Sequence, residues 1–149
     1  MRAAGGLATG FLMVAASTSA APETLRPYAV DGDAIARPLT GRTGDPARGG
    51  VLIADRQKSL CILCHAGPFA DPYLQGTLAP ALSGVGGRLS EGQIRLRIVD
   101  MKTLNPASIM PSYYRAGDGQ RVATIWRGKT VLTAEEIEDL VAYLVTLRD

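Results

Sequence analysis

Apolar side chains recur at helical spacing near the end of the chain. After Thr133 they occupy positions i, i+3, i+4 and i+7, which places them on one face of a helix. The members of this stripe are Ile137, Leu140, Val141, Leu144 and Leu147. Thr133 and Glu136 have the spacing of a capping box, in which each side chain accepts the backbone N–H of the other residue. The pattern predicts a C-terminal amphipathic helix.

A second capping box, Ser90 with Gln93, opens the stretch EGQIRLRIVD. Its apolar side chains at helical spacing are Ile94, Leu96, Ile98 and Val99. A turn that begins at Asn105 ends at Met110, because a residue that precedes proline is disfavoured in the helical region and Pro111 follows. The stretch is therefore predicted to be a helix followed by a loop that carries Met110.

The first helical signal lies near residue 45. Asp45 suits the N-cap position, and Pro46 suits the first helical position, where its missing N–H costs nothing. The run from Pro46 to Lys58 is therefore predicted to be helical. The side chains expected to face the core are Val51, Leu52 and Ala54.

Two adjacent glycines, Gly49 and Gly50, lie inside this first helix. Each costs about 1 kcal/mol relative to alanine, so we expect another element, with Tyr143 at the contact, to cross closely here. No region alternates cleanly enough for a sheet, and the long loop from residue 66 to residue 88 indicates a non-protein group around which the chain folds. The prediction is an all-α domain over residues 44–149, with its first and last helices crossing.

The N-terminal region has the pattern of a secretory signal peptide. An apolar run over residues 7–16 follows a positive start, and small residues precede a cleavage position after Ala20 or Ala21. A membrane anchor is excluded by length, because a spanning helix needs about 20 apolar residues. We therefore predict a signal peptide over residues 1–20 and a periplasmic location. Residues 21–43 show no period and are predicted to be an irregular extension, either disordered or covering the domain or a partner.

The charge balance narrows the possible partners. The chain has 16 basic and 14 acidic side chains, a formal net charge of +2 and no basic run. Such a balance argues against binding to nucleic acid or to an anionic membrane surface.

The sequence CILCH at residues 61–65 holds both cysteines and the only histidine of the chain. A structural zinc ion needs four ligands, and no second cluster is present to complete them. A thioredoxin-like dithiol would follow a strand, and a disulfide that closes so small a loop would stabilise little. C-x-x-C-H is the signature of c-type haem, in which Cys61 and Cys64 form thioethers and His65 binds the iron. We therefore predict one covalently bound haem c.

Composition limits the ligand on the other side of the iron. The chain has no second histidine or third cysteine, and Met1 and Met13 leave with the predicted signal peptide. Met110 is the better candidate because Pro111 holds it in an extended loop, whereas Met101 directly follows a helix and could be a core residue. An open iron position is the third possibility. A His/Met iron has a raised potential and suits electron transfer.

The segments CILCH, APALSGVGGR and MP resemble class I cytochromes c. That resemblance implies that the carbonyl of Pro80 accepts a hydrogen bond from His65. It also implies that Arg88 faces a haem propionate, with an exposed loop charge as the alternative. The longer segments GDPARGGVLIADRQKSLCILCH, LNPASIMPSYYR and RGKTVLTAEEIEDLVAYL resemble the SoxX family. In that family the methionine that matches Met110 is the distal ligand.

The resemblance to SoxX implies a place in the SoxAX complex, an L-cysteine S-thiosulfotransferase. SoxAX oxidatively joins thiosulfate to a cysteine of the carrier protein SoxYZ, and SoxX accepts the electrons and passes them to a downstream cytochrome c. A SoxA-like subunit is therefore the expected partner, in a heterodimer. Tyr113, Tyr114 and Arg115 either line the haem edge that faces SoxA or make ordinary packing and propionate contacts. Trp126 is expected to be a buried anchor rather than an electron relay.

Two other functions remain open. A freely diffusing class I shuttle cytochrome often carries a ring of lysines around the haem edge, but the chain has only Lys58, Lys102 and Lys129. A gas or peroxide sensor with five-coordinate iron would bind carbon monoxide rapidly in its reduced state.

Overall fold

A computed structural model describes Met1, residues 25–116 and residues 122–149 of the protein. Within these residues the α-helices are α1 (Pro46–Ala54), α2 (Val85–Arg88), α3 (Glu91–Asp100) and α4 (Ala134–Leu144). Short 3₁₀ turns lie at Cys61–Leu63, Pro72–Leu74, Met101–Thr103 and Thr124–Trp126. Across residues 25–116 and 122–149 there are isolated β-bridges but no β-strand, so the prediction of a helical chain is confirmed.

Apart from Met1, the predicted signal peptide over residues 1–20 lies outside the described residues. Over the ranges that the structure does describe, no helix has the length and apolar character needed to cross a membrane.

The predicted caps of three helices are present. The Asp45 carboxylate accepts the backbone N–H of Ala47 at 2.8 Å, at the start of α1. The capping boxes of α3 and α4 are closed in both directions, by Ser90 with Gln93 and by Thr133 with Glu136. These side chains satisfy N–H groups that have no partner inside the helix, so each of the three helices begins where its capping residue lies.

α1 and α4 cross at the two glycines of α1, as predicted. A Cβ atom at Gly49 would overlap the carbonyl oxygen of Asp139, and one at Gly50 would lie 3.1 Å from Cε2 of Tyr143. Beside this contact, Arg48 Nε donates to Asp139 Oδ2 at 2.7 Å. The absence of side chains at the two glycines is what allows the backbones to approach so closely.

The prediction of which α1 side chains face the core was wrong for two of three residues. Val51 is 76% exposed and Ala54 is exposed, whereas Leu52 is partly buried. The buried residue is Ile53. Successive residues are about 100° apart around a helix, so the face that contacts α4 through Gly49 continues to Ile53 and turns Val51 outward.

α1 ends before the predicted limit at Lys58. The Asp55 carboxylate accepts the backbone N–H groups of Gln57 and Lys58 at 2.8 and 2.9 Å. Both hydrogen bonds lower the pKa of the Asp55 carboxyl group, and the bond from Gln57 has the larger effect. An aspartate that bonds its own following backbone favours a turn over a helix, and this turn leads the chain towards Cys61.

The segment from residue 25 to residue 43 is irregular in backbone and packs on the core. Ile35 and Leu39 are buried. The Leu39 N–H donates to Glu138 Oε1 at 2.8 Å, and Arg95 donates to the Ile35 carbonyl at 2.7 Å. Arg95 and Glu138 are themselves a buried ion pair, with 2.8 Å between Nε and Oε1. The segment is therefore joined to both α3 and α4.

Candidate functional site

The CILCH sequence forms a tight turn. Cys61–Leu63 is a 3₁₀ turn, and the backbone N–H groups of Cys64 and His65 donate to the Cys61 carbonyl at 3.2 and 2.9 Å. Cys61 and Cys64 do not form a disulfide with each other. The turn therefore holds two thiols and one imidazole in a single local unit.

Residues 76–82 run beside this turn and are bonded to it at three points. The bonds are Gly76 N–H to Ile62 O, Ala79 N–H to Cys64 O and Leu82 N–H to Ala66 O, all at 2.8 or 2.9 Å. His65 and Ala79 form a parallel bridge. This register brings Pro80 next to the imidazole of His65.

The Pro80 carbonyl selects one tautomer of His65. Nδ1 of His65 lies 2.7 Å from the carbonyl oxygen of Pro80. Because a carbonyl oxygen can only accept, Nδ1 carries the proton, and in the neutral imidazole Nε2 keeps its lone pair for a metal. The structure thus contains the hydrogen bond that the resemblance to class I cytochromes c implies.

Arg88 holds the loop that presents this carbonyl. Its guanidinium donates to the carbonyls of Ser83 and Ala81 at 2.6 and 3.1 Å. Since both carbonyls closely follow Pro80, Arg88 restrains the residues next to the His65 partner. The Arg88 side chain is exposed, and its contact with a propionate remains a prediction.

Met110 lies on a separate loop that is braced on both sides. Its N–H donates to Ser108 Oγ at 3.1 Å, and beyond Pro111 the Ser112 hydroxyl donates to Asp100 Oδ1 at 2.5 Å. The Met110 side chain is partly buried against the core. Met101 occupies the first position of a 3₁₀ turn that directly follows α3.

A buried network precedes the first cysteine, and the sequence carries no signal for it. The Tyr113 hydroxyl donates to the Ser59 carbonyl at 2.5 Å, and the Ser59 hydroxyl donates to the Leu52 carbonyl at 2.5 Å. Cys61 Sγ lies 3.6 Å from the same Ser59 carbonyl. Burial raises the pKa of the Tyr113 hydroxyl, so this group keeps its proton and donates at neutral pH.

The residues after Met110 mostly pack rather than face outward. Tyr113 and Tyr114 are buried, while Arg115 is exposed and lies 3.6 Å from Asp100 Oδ2. Packing is therefore the alternative that holds for the two tyrosines. The prediction of a buried Trp126 was wrong, because this side chain is 48% exposed.

The donor set and its surroundings fit a haem c. Exposed apolar side chains lie close in sequence to the candidate site residues, with Leu63 between the cysteines, Leu78 two residues before Pro80 and Ile109 beside Met110. Two thiols, an imidazole with a free Nε2 and a thioether sulfur suit a macrocycle with a central iron. In the described part of the chain, His, Cys, Asp and Glu form no group of three or more that could hold a metal ion.

Comparison with known proteins identifies the family. No family model matches the chain, and a search of curated proteins finds no match. A chain in the crystal structure of SoxXA from P. pantotrophus is 30% identical, with a TM-score of 0.75, and the alignment covers 87% of this chain and 100% of that one. The chain belongs to the SoxX family of c-type cytochromes. For a SoxX-family protein the CILCH turn is the expected attachment point of a covalent haem c.

A second solved structure is similar at a lower level. The c-type cytochrome SorU from Sinorhizobium meliloti, known from a crystal structure, is 22% identical to this chain with a TM-score of 0.43. The alignment covers 69% of this chain and 90% of SorU. Likeness at this level supports no inference about function.

Proposed function

We propose that the chain is the monohaem, electron-accepting subunit of a SoxAX-type complex in the periplasm, with residues 1–20 removed as a signal peptide. The observation that carries the proposal is the similarity to SoxXA from P. pantotrophus, which extends over 100% of the matched chain. The likeness is therefore not confined to the C-x-x-C-H motif. A class I cytochrome c fold, with α1 and α4 crossing behind the haem site, is the proposed scaffold.

Each candidate site residue has a distinct role in this proposal. Cys61 and Cys64 hold the haem through thioethers, and His65 and Met110 bind its iron. When bound, a haem with these ligands supplies reversible one-electron transfer at a raised potential. The Pro80 carbonyl fixes the His65 tautomer and raises the basicity of Nε2.

In this proposal Met110 is the second protein ligand of the iron. Ser108 and Ser112 brace its loop by their hydrogen bonds, and a bound Met110 thioether would limit the access of small ligands to the iron. This closure distinguishes an electron-transfer site from the open site that a gas or peroxide sensor requires.

The proposed reaction joins thiosulfate to a cysteine of a SoxYZ-type carrier. One S–S bond forms, the thiol proton is released and two electrons leave. The chain takes these electrons one at a time and passes them to a downstream cytochrome c. Its two cysteines both lie in CILCH, so the SoxA-like subunit, rather than this chain, provides the thiol for the sulfur intermediate.

Purification from the native host grown on thiosulfate tests the assignment. We expect the chain to copurify in a one-to-one complex with a larger haem protein of the SoxA type. Recovery of the haem-loaded chain only as a monomer, with no change in its reduction potential when a SoxA-type protein is added, would contradict the proposal. That result would favour the freely diffusing shuttle cytochrome.

A further inference from the structure

One side chain connects the two loops of the candidate haem site. Tyr113 follows Met110 in the segment MPSYYR, and its hydroxyl bonds the carbonyl of Ser59 in the approach to Cys61. The residues that carry the attachment cysteine and the candidate distal ligand are therefore linked by a buried hydrogen bond of 2.5 Å.

Tyr113 is a fixed point in the core. Its backbone N–H donates to the Ile98 carbonyl at 3.3 Å, and its carbonyl accepts the N–H groups of Val131 and Leu132, both at 3.0 Å. Its side chain is 4% exposed. Because α3 and the segment before α4 hold its backbone, the hydroxyl can act as an anchor for the more irregular residues around Ser59.

The turn that Tyr113 anchors needs support. Leu60, between Ser59 and Cys61, has φ 63° and ψ 5°, a left-handed conformation that an L side chain disfavours. Ser59 is fully buried, and its own hydroxyl bonds back to α1 through Leu52. With Ser59 held at both its side chain and its carbonyl, the left-handed Leu60 is stabilised and the direction of Cys61 is set.

We propose that Tyr113 is a positioning residue for the haem. Its hydroxyl holds the Ser59–Leu60 conformation that presents Cys61 for thioether formation, and it also ties the Met110 loop to that turn. The inference rests on the proposed function, because it takes CILCH and Met110 as the groups that hold the haem. Removal of the hydroxyl alone then weakens both attachment at Cys61 and closure by Met110.

Tyr113→Phe, matured with haem in a bacterial periplasm, tests this role. Peptide mapping is expected to show incomplete thioether formation at Cys61 and nearly complete formation at Cys64. Carbon monoxide is expected to bind the reduced variant about tenfold faster than wild type, since loss of one buried hydrogen bond shifts a closed-to-open equilibrium by roughly that factor.

Tyr114→Phe is the matched control. Tyr114 is the next residue, is 1% exposed and accepts the backbone N–H of Arg26 at 3.0 Å through its hydroxyl. This bond is made to the N-terminal segment rather than to the Cys61 turn. Tyr114→Phe should therefore leave thioether formation and carbon monoxide binding as in wild type.

Three results would overturn the proposal. The first is a Tyr113→Phe protein with both thioethers and wild-type carbon monoxide binding, and the second is an equal change in the two tyrosine variants. If Tyr113→Phe does not accumulate, the double variant Tyr113→Phe with Leu60→Gly decides, because glycine adopts the left-handed conformation of Leu60 without the support of the Tyr113 hydroxyl. Failure of Leu60→Gly to restore accumulation of the haem-loaded protein is then the third contradicting result. Wild-type chain without haem would instead show that the proposed function has failed.

Discussion

His65 illustrates how a backbone carbonyl defines the chemistry of a side chain. The proton on Nδ1 is directed to Pro80 at 2.7 Å, so Nε2 is the nitrogen that can bind a metal. The identity of His65 as the candidate ligand follows from sequence alone, because the chain has only one histidine. The hydrogen bond from its ring depends on the register of residues 76–82 and was reached only through the family resemblance.

Met110 and Met101 can be distinguished by substitution. In Met110→Ala we expect the reduced protein to bind carbon monoxide rapidly without denaturant, because the thioether that closes the iron is gone. Met101→Ala is the control and should keep the slow binding of wild type. Stopped-flow spectroscopy of both variants measures this, and fast binding in Met101→Ala with slow binding in Met110→Ala would reverse the assignment.

The contact between Ser59 and Tyr113 could not be predicted from the sequence. Ser59 acts through its carbonyl, a group that every residue has, so its side chain gives no indication of the contact. Tyr113 was a candidate for the surface as much as for the core. Its burial could not be predicted, because the chain segments that cover it come from distant parts of the sequence.

At the scale of elements, α1 and α4 approach closely because α1 has no side chains at its two glycines. The capping residues and the apolar stripe of α4 are local signals, so both were predicted correctly as far as Leu144. The helix ends there, before the predicted stripe member Leu147. The inward face of α1 was not predicted correctly, because the glycine face that contacts α4 has no hydrophobic signature. Ile53 is buried because it continues the face of Gly49, and Val51 is exposed for the same reason.

Gly49→Ala should be strongly destabilising. The new methyl group would overlap the Asp139 carbonyl, and separating the helices should lower the free energy of unfolding by about 3 kcal/mol. Gly87→Ala in α2 is the control, since its Cβ would lie at an ordinary 3.4 Å from the nearest carbonyl oxygen. Denaturant unfolding compares the two, and equal losses of stability would contradict the tight crossing.

The buried pair of Arg95 and Glu138 should be equally sensitive. Glu138→Gln leaves the Arg95 charge buried without its partner, which we expect to cost about 3–5 kcal/mol of unfolding free energy. Glu135→Gln, on the same helix, removes an exposed pair with Arg26 and should cost less than about 1 kcal/mol. Similar unfolding midpoints for the two variants would show that the buried pair does not join α3 to α4 as described.

At the scale of the whole molecule, sequence predicted the helical class and the haem motif, whereas the N-terminal segment required the structure. Residues 25–43 show no period because they are held by isolated long-range bonds, such as those of Ile35 and Leu39. Such contacts leave no repeating pattern in a sequence. The near balance of 16 basic and 14 acidic side chains, in contrast, is a property of the whole chain that is read directly.

This balance predicts weak electrostatic steering. We expect the rate constant of electron transfer with a SoxA-type partner to change by less than about tenfold between low and physiological ionic strength. Stopped-flow measurements over that range test the expectation. A steep fall with salt would indicate a charged docking surface, as in a freely diffusing shuttle.

The proposed function depends on one haem bound covalently by Cys61 and Cys64. The intact mass of the mature chain isolated from its native host, measured under denaturing conditions, detects this attachment. We expect the mass of the processed polypeptide plus one haem, and we expect Cys61→Ser and Cys64→Ser together to abolish the addition. A colourless native protein with the mass of the bare processed chain would show that no haem is attached.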